Sequence, residues 1–146
     1  MIEIKKILCC VDFGEVTPRV IEYAKTICRG EGGRLYLVYV VHSLEFMEQF
    51  SVPPSYREEY EKSTRRQARE KMESLIEQYF PGEKGVESVI LFGDPAKEIV
   101  SFAQKEGVDV VVIGSTSKKG VTELLFGSVG EKVVKMAKGA VLVVKP

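Results

Sequence analysis

Residues 86–114 read VESVILFGDPAKEIVSFAQKEGVDVVVIG, and the fold is decided within them. Val86 to Phe92 is a short apolar run, and Gly93-Asp94-Pro95 then offers a turn, an N-cap carboxylate and a proline suited to the first helical position. Ala96, Ile99, Val100 and Ala103 recur at helical spacing, and Val108 to Ile113 is a second apolar run that stops at Gly114. A strand, a helix and a strand in succession form a βαβ unit, whose strands lie parallel.

The same alternation continues outward in both directions. Lys6 to Val11 (KILCCV) is a continuous apolar run, the pattern of a strand covered on both faces. Thr17 to Arg29 reads as an amphipathic helix carrying Val20, Ile21, Ala24, Ile27 and Cys28, and Leu35 to Val41 reads as a second strand that ends at His42. Residues 43–54 mix apolar and polar types up to Pro53-Pro54, which predicts a lid-like loop or a short helical turn. Ser55 to Tyr79 places Tyr56, Tyr60, Ala68, Met72, Leu75, Ile76 and Tyr79 on one helical stripe, with the charges from Arg65 to Lys71 as its solvated face. Phe46, Phe50, Tyr56 and Tyr60 are expected to pack over the sheet or a partner subunit. Thr122 to Lys138 predicts a last helix with Gly127-Ser128 inside it, and Ala140 to Lys145 a last strand. The chain therefore reads as one domain, residues 1–146, with five parallel strands in a doubly wound α/β sheet and helices on both faces.

Composition narrows the function. The chain of 146 residues carries 21 Lys+Arg against 21 Asp+Glu, so no net field favours nucleic acid or an anionic membrane. Its apolar runs fall far short of the ~20 residues that span a bilayer, and the start Met1-Ile2-Glu3-Ile4-Lys5-Lys6 lacks a signal-peptide core, which predicts a cytoplasmic protein. The 3 cysteines, Cys9, Cys10 and Cys28, make neither a disulfide framework nor a zinc spacing and read as small apolar residues. One histidine leaves a Ser-His-Asp hydrolase or a His-rich metal site without parts.

In a doubly wound sheet a ligand sits outside the carboxyl ends of the strands, where strand order reverses. The residues there are Asp12, the Val40-Val41-His42 corner and the segment opened by Gly114. The run Gly114-Ser115-Thr116-Ser117-Lys118-Lys119-Gly120, with Gly127-Ser128 further on, combines small residues, hydroxyls and lysines, a composition suited to an anion such as phosphate. An ordinary loop has the same composition, and neither GxxxxGK[ST] nor GxGxxG is present. Asp94 reads as a helix cap and His42 as a strand end.

The arrangement resembles the universal stress protein family over nearly the whole chain. The matching features are Lys6-Ile7-Leu8 running to Val11-Asp12-Phe13, Gly93-Asp94-Pro95 before Ile99, and Gly107-Val108-Asp109 leading to Val112-Ile113-Gly114. Phe126-Gly127-Ser128-Val129 and the terminal Ala140 to Lys145 complete them. The resemblance implies an adenine nucleotide alpha hydrolase-like sheet in strand order 3-2-1-4-5. Members that bind ATP carry Gly, two residues, Gly, nine residues, Gly and then Ser or Thr. Gly114 and Gly127-Ser128 fit that pattern, whereas Ser117 replaces the second glycine. Serine stays small and adds a hydroxyl, at a cost of ~1 kcal/mol or more where a positive φ is needed.

Carried over by position, the resemblance implies that Asp12 accepts a hydrogen bond from ribose or helps hold Mg or Mn. Val11 and the backbone of Val40 would then meet adenine, and Gly114 would lie against the ribose. Ser117, Gly127, Ser128 and Val129 would surround the phosphates, with Lys118 and Lys119 as mobile countercharges. The last strand is apolar and expected at a sheet edge, so Val141, Leu142, Val143 and Val144 are expected to pair with the same strand of a second copy, a homodimer. The function implied is a stress-response regulator or sensor that binds ATP, ADP or AMP and is at most a slow ATPase. A nucleotide-free dimeric interaction module is the alternative, which Ser117 supports. A phospho-receiver, suggested by Asp12 and Lys145-Pro146, is a more remote one.

Overall fold

The computed structural model describes residues 1–28, 32–42, 51–115 and 127–146. Each apolar run forms a strand: β1 (Lys6–Cys10), β2 (Arg34–His42), β3 (Val86–Gly93), β4 (Val110–Gly114) and β5 (Ala140–Val144). The described helices are α1 (Thr17–Ile27), α2 (Pro54–Tyr79), α3 (Pro95–Glu106) and α4 (Ser128–Met136). The strands are parallel and lie in the order β3-β2-β1-β4-β5, the order the family resemblance implied. Among the described residues no helix is long and apolar enough to cross a membrane.

Alternation along the strands divides the core between the two faces. Ile7 and Cys9 of β1, Leu35 and Leu37 of β2, and Val110 and Val112 of β4 join Val20, Ile21 and Ala24 of α1 and Met72 of α2. On the other face Leu8, Tyr36, Val38, Val111 and Ile113 join Ala96 and Ile99 of α3 and Val133 of α4. The central strand β1 buries Ile7, Leu8 and Cys9 completely, as its unbroken apolar run predicts.

Local chemistry sets the ends of the elements. Asp94 caps α3 by accepting from the Lys97 amide at 3.1 Å, and Gly107 closes it in the left-handed region at φ 66°. Pro54 opens α2 rather than lying in the preceding loop, and the rest of the expected lid, residues 43–50, lies outside the described residues. The last helix differs from its expected span. Gly127 is extended, with φ −60° and ψ 149°, so α4 begins at Ser128, and Ala137 is extended again. Periodicity does not register that the first apolar position on this helix can follow a backbone turn. Residues 122–126 lie outside the described residues.

The stripe of α2 is only half used. Ala68 and Met72 are buried, with Leu75, Ile76 and Tyr79 packed beside them, while Tyr56 and Tyr60 stay 67% and 47% exposed. These two tyrosines therefore do not pack over the sheet within the described chain. Arg65, expected on the solvated face, lies with its guanidinium 4.5 Å from the Phe92 ring centroid.

β4 starts two residues later than its apolar run because Asp109 is engaged elsewhere. Its Oδ2 accepts from the Lys5 and Lys6 amides, each at 2.9 Å, and its own amide donates to the Lys6 carbonyl at 2.8 Å. The Lys6 amide, then that of Lys5, hold the Asp109 carboxyl below its ordinary 3.8, with burial opposing. Asp109→Ala is expected to lower stability by about 1–3 kcal/mol, the range for hydrogen bonds to a charged group. A folded value below the unfolded one means that this stability is present above about pH 4 and is lost as pH falls through the folded value. Urea unfolding at neutral and acid pH checks both, with the gap between the two proteins closing in acid.

Candidate functional site

At the carboxyl end of the sheet, β1 leads into α1 on one face, while α4 lies on the other face beyond β4. Neighbouring strands whose connections depart to opposite sides leave a crevice between them. A pocket of ≈ 540 Å³ opens there. That volume falls within the roughly 300–1,000 Å³ of small-molecule sites. Val11, Asp12, Val40, Gly114, Gly127, Ser128 and Val129 all line it, although they come from four different parts of the chain. Ser117, Lys118 and Lys119 lie outside the described residues. His42 ends β2 exposed and is not among the lining residues.

The walls have distinct chemistries. Val38, Val40, Pro95, Ile99, Ile113 and Val129 supply apolar surface, while Asp12, Thr17, Ser115 and Ser128 supply polar side chains. Cys10 is half-buried on the wall, and desolvation first, then Cys9 and Asp12, push its thiol well above the ordinary range. It is therefore a neutral, weakly polar surface rather than a nucleophile.

Asp12 stands just past β1 on a tight turn. Its Oδ1 accepts from the Gly14 amide at 2.8 Å and from the Thr17 hydroxyl at 2.9 Å. The first of these bonds closes an Asx-turn, which carries Phe13 between its ends at φ 60°. A bulky residue in that region costs of order 1–3 kcal/mol and persists where its surroundings hold it. The Phe13 ring rests against Tyr39, centroids 4.7 Å apart, with the Lys71 ammonium 5.3 Å from the Phe13 centroid on α2. Packing on the apolar side thus supports the backbone that presents Asp12.

At Gly114 a Cβ would just touch Val16 Cγ1 at 3.4 Å and Val20 Cγ2 at 3.5 Å, so α1 lies close against the end of β4 and leaves no room there for a larger side chain. Ser115 follows, 1% exposed, with its amide donating to the Val144 carbonyl at 2.9 Å and its carbonyl accepting from the Gly127 amide at 2.6 Å. That last bond sets the start of α4 beside the end of β4. The first-turn amides of α4 have no intrahelical acceptors, no side chain among the described residues caps them, and the positive dipole end of the helix faces the crevice region. Ser115 Oγ is buried with no hydrogen-bond partner among the described residues.

Ser115 lines the pocket as a member of the run at residues 114–120, whereas Cys10 and Thr17 carry no sign of the pocket in the sequence. Thr17 reads as a helix start and Cys10 as core, and only three-dimensional proximity separates them from those roles. Among the described residues no group of three or more His, Cys, Asp or Glu is placed to hold a metal. Among the described lining residues a divalent ion here would have Asp12 as its one carboxylate, with ligand oxygens as further donors.

Comparison with known proteins decides the family. The model of the universal stress protein family matches residues 3–145. The chain belongs to the universal stress protein family. Universal stress protein MJ0577 of Methanocaldococcus jannaschii is 30% identical, over 97% of this chain and 94% of its own. Its solved structure superposes with a TM-score of 0.85 over 99% of this chain and 98% of that one. Universal stress protein MJ0531 of the same organism is 34% identical over 97% of this chain and 82% of its own. The universal stress protein of Archaeoglobus fulgidus solved in complex with dAMP has the same fold, with a TM-score of 0.65 at 21% identity, over 98% of both chains. Family membership, and Asp94 acting as a cap, displace the phospho-receiver reading.

The two residues at the end of β4 make opposite predictions. Ser115→Ala is expected to raise stability by about 1 kcal/mol, since it removes a buried hydroxyl that has no partner among the described residues. Gly114→Val, by contrast, overpacks Val16 and Val20 and is expected to cost about 1–3 kcal/mol. Chemical denaturation of both variants measures the two signs.

Proposed function

We propose that this universal stress protein is an adenine-nucleotide-binding regulator or sensor of the stress response, working in the cytoplasm. The observation that carries the reading is the meeting, in one pocket, of an apolar wall, a carboxylate at the end of β1 and the uncapped start of α4. A purine needs the first, a ribose hydroxyl or a nucleotide-bound Mg or Mn the second, and a phosphate the third. The dAMP complex of the Archaeoglobus fulgidus protein supports the same class of ligand.

In this reading Val11 and Val40 flank the base, Asp12 takes the sugar or the ion, and Gly114 lies along the ribose. Ser128 and Val129 donate to the phosphates of ATP, ADP or AMP, joined by Ser117, and Gly127 lies beside them with its amide held by the Ser115 carbonyl. Asp12 is the one carboxylate among the described lining residues, and two hydrogen bonds already engage it. Hydrolysis needs a base that orients water at the γ-phosphate, so a slow or absent ATPase activity fits this pocket better than a fast one. The protein then acts by holding its nucleotide.

We also infer a homodimer. β5 pairs with β4 on one side only, and Val141, Leu142 and Val143 remain half-buried along its outer edge. An apolar edge strand calls for a partner, and antiparallel pairing with the same strand of a second copy provides a symmetric one.

Thermal melts with and without Mg-ATP test the nucleotide reading. Ligand at 100 times Kd is expected to add about 2.7 kcal/mol and several degrees to the midpoint. Asp12→Ala and Ser128→Ala are expected to diminish the shift, and a wild-type midpoint unmoved by ATP, ADP and AMP overturns the reading. Sedimentation at micromolar concentration is expected to give twice the chain mass, and a monomer there overturns the dimer.

A further inference from the structure

The hydroxyl of Thr17 is in an unusual position for a residue in the first turn of a helix. Thr17 is 3% exposed and lines the pocket, yet it does not cap α1, whose N-cap is Val16 with no side-chain bond. A buried hydroxyl requires a partner. This one reaches out of the helix and donates to Asp12 Oδ1 at 2.9 Å. The Gly14 amide donates to the same oxygen at 2.8 Å, and that turn is kept although Phe13 must sit at φ 60°. A donor from within the β1–α1 connection and one from the first residue of α1 thus converge on one oxygen of one carboxylate.

We propose that Thr17 is a positioning residue that makes Asp12 a reader of the ribose diol: with Gly14 it takes Oδ1, fixes the carboxylate plane and leaves Oδ2 as the acceptor for the sugar hydroxyls. This rests on the nucleotide reading above. A carboxylate is acceptor-only and has about four lone-pair sites, so two donors on Oδ1 leave the second oxygen with full capacity. An unheld aspartate on an exposed turn would sample several rotamers and lose entropy on binding. The clip removes that cost beforehand, which is why its effect falls on affinity and selectivity.

The test compares ATP with 2′,3′-dideoxy-ATP, each titrated calorimetrically into the full chain. Wild type is expected to prefer ATP by about tenfold or more, the scale of hydrogen bonds to a charged acceptor, and Asp12→Ala to abolish the preference. Thr17→Val keeps the shape and removes the hydroxyl, and it is expected to bring the ratio down toward that of Asp12→Ala, while Thr17→Ser restores it. Thr17→Ala serves the same purpose should Thr17→Val not fold. A Thr17→Val protein that binds both ligands more weakly but keeps the wild-type ratio overturns the proposal and makes Thr17 merely structural. Wild type binding both ligands equally overturns it through Asp12, and wild type binding neither overturns the nucleotide reading itself.

Discussion

The simultaneous pairing of β1 with β2 on one side and β4 on the other is the constraint on which the rest of this molecule depends. Ile7, Leu8 and Cys9 pair in both directions and are fully buried, so β1 cannot shift along with one neighbour without breaking its ladder to the other. Because β2 continues the sheet one way and β4 the other, the connections beyond β1 and β4 must part, and the gap between them is the pocket. The site is thus a consequence of strand order rather than an addition to the fold. Asp109 reinforces the same pairing at the opposite end, fastening the amides entering β1 to the residue before β4.

The pocket draws on both layers of the core. Val16, Thr17 and Val20 belong to α1, which packs on one face, while Ile99, Ile113 and Val129 belong to the other. Its polar groups stand where β1 and β4 end, so they are backed by strands instead of by free loop. Phe13 shows how such support works. Its backbone occupies an unfavourable region, and its ring is held between Tyr39 of β2 and Lys71 of α2. A local conformational cost at the site is thereby offset by packing among elements that lie outside it.

Most of the fold was legible because its signals are local. The unbroken runs at Lys6, Leu35 and Val108 mark strands with two covered faces, and Asp94-Pro95 and Gly107 mark the ends of α3 through the backbone geometry they favour. Boundaries failed where a residue's partner lies far off in the chain. Asp109 leaves the β4 run for amides more than a hundred residues away, and Gly127 interrupts an apolar stripe because its amide is needed by the Ser115 carbonyl. Tyr56 and Tyr60 satisfy the helical period of α2 yet find no sheet beneath them, because a 26-residue helix exceeds the 8-residue strand it covers.

The site was legible to a different degree, since strand ends can be read from a sequence and side-chain pairings cannot. Asp12, Val40 and Gly114 follow from the topology alone, and Gly127-Ser128 from the spacing that the family resemblance supplied. Nothing at the level of residue type separates Thr17 from an ordinary first-turn threonine, or Ser115 from the hydroxyls that follow it. Their distinction is relational: one hydroxyl is buried with a carboxylate to bond, and the other is buried with no partner among the described residues. Burying a hydroxyl is tolerated when it is bonded and costly when it is not, so the two stand differently in the pocket. Thr17 is bonded within the protein, whereas Ser115 is a group to which, among the described residues, only a ligand could supply the partner. On the proposed nucleotide reading, the arranged acceptor would give selectivity, and the hydroxyl with no partner among the described residues would give binding energy.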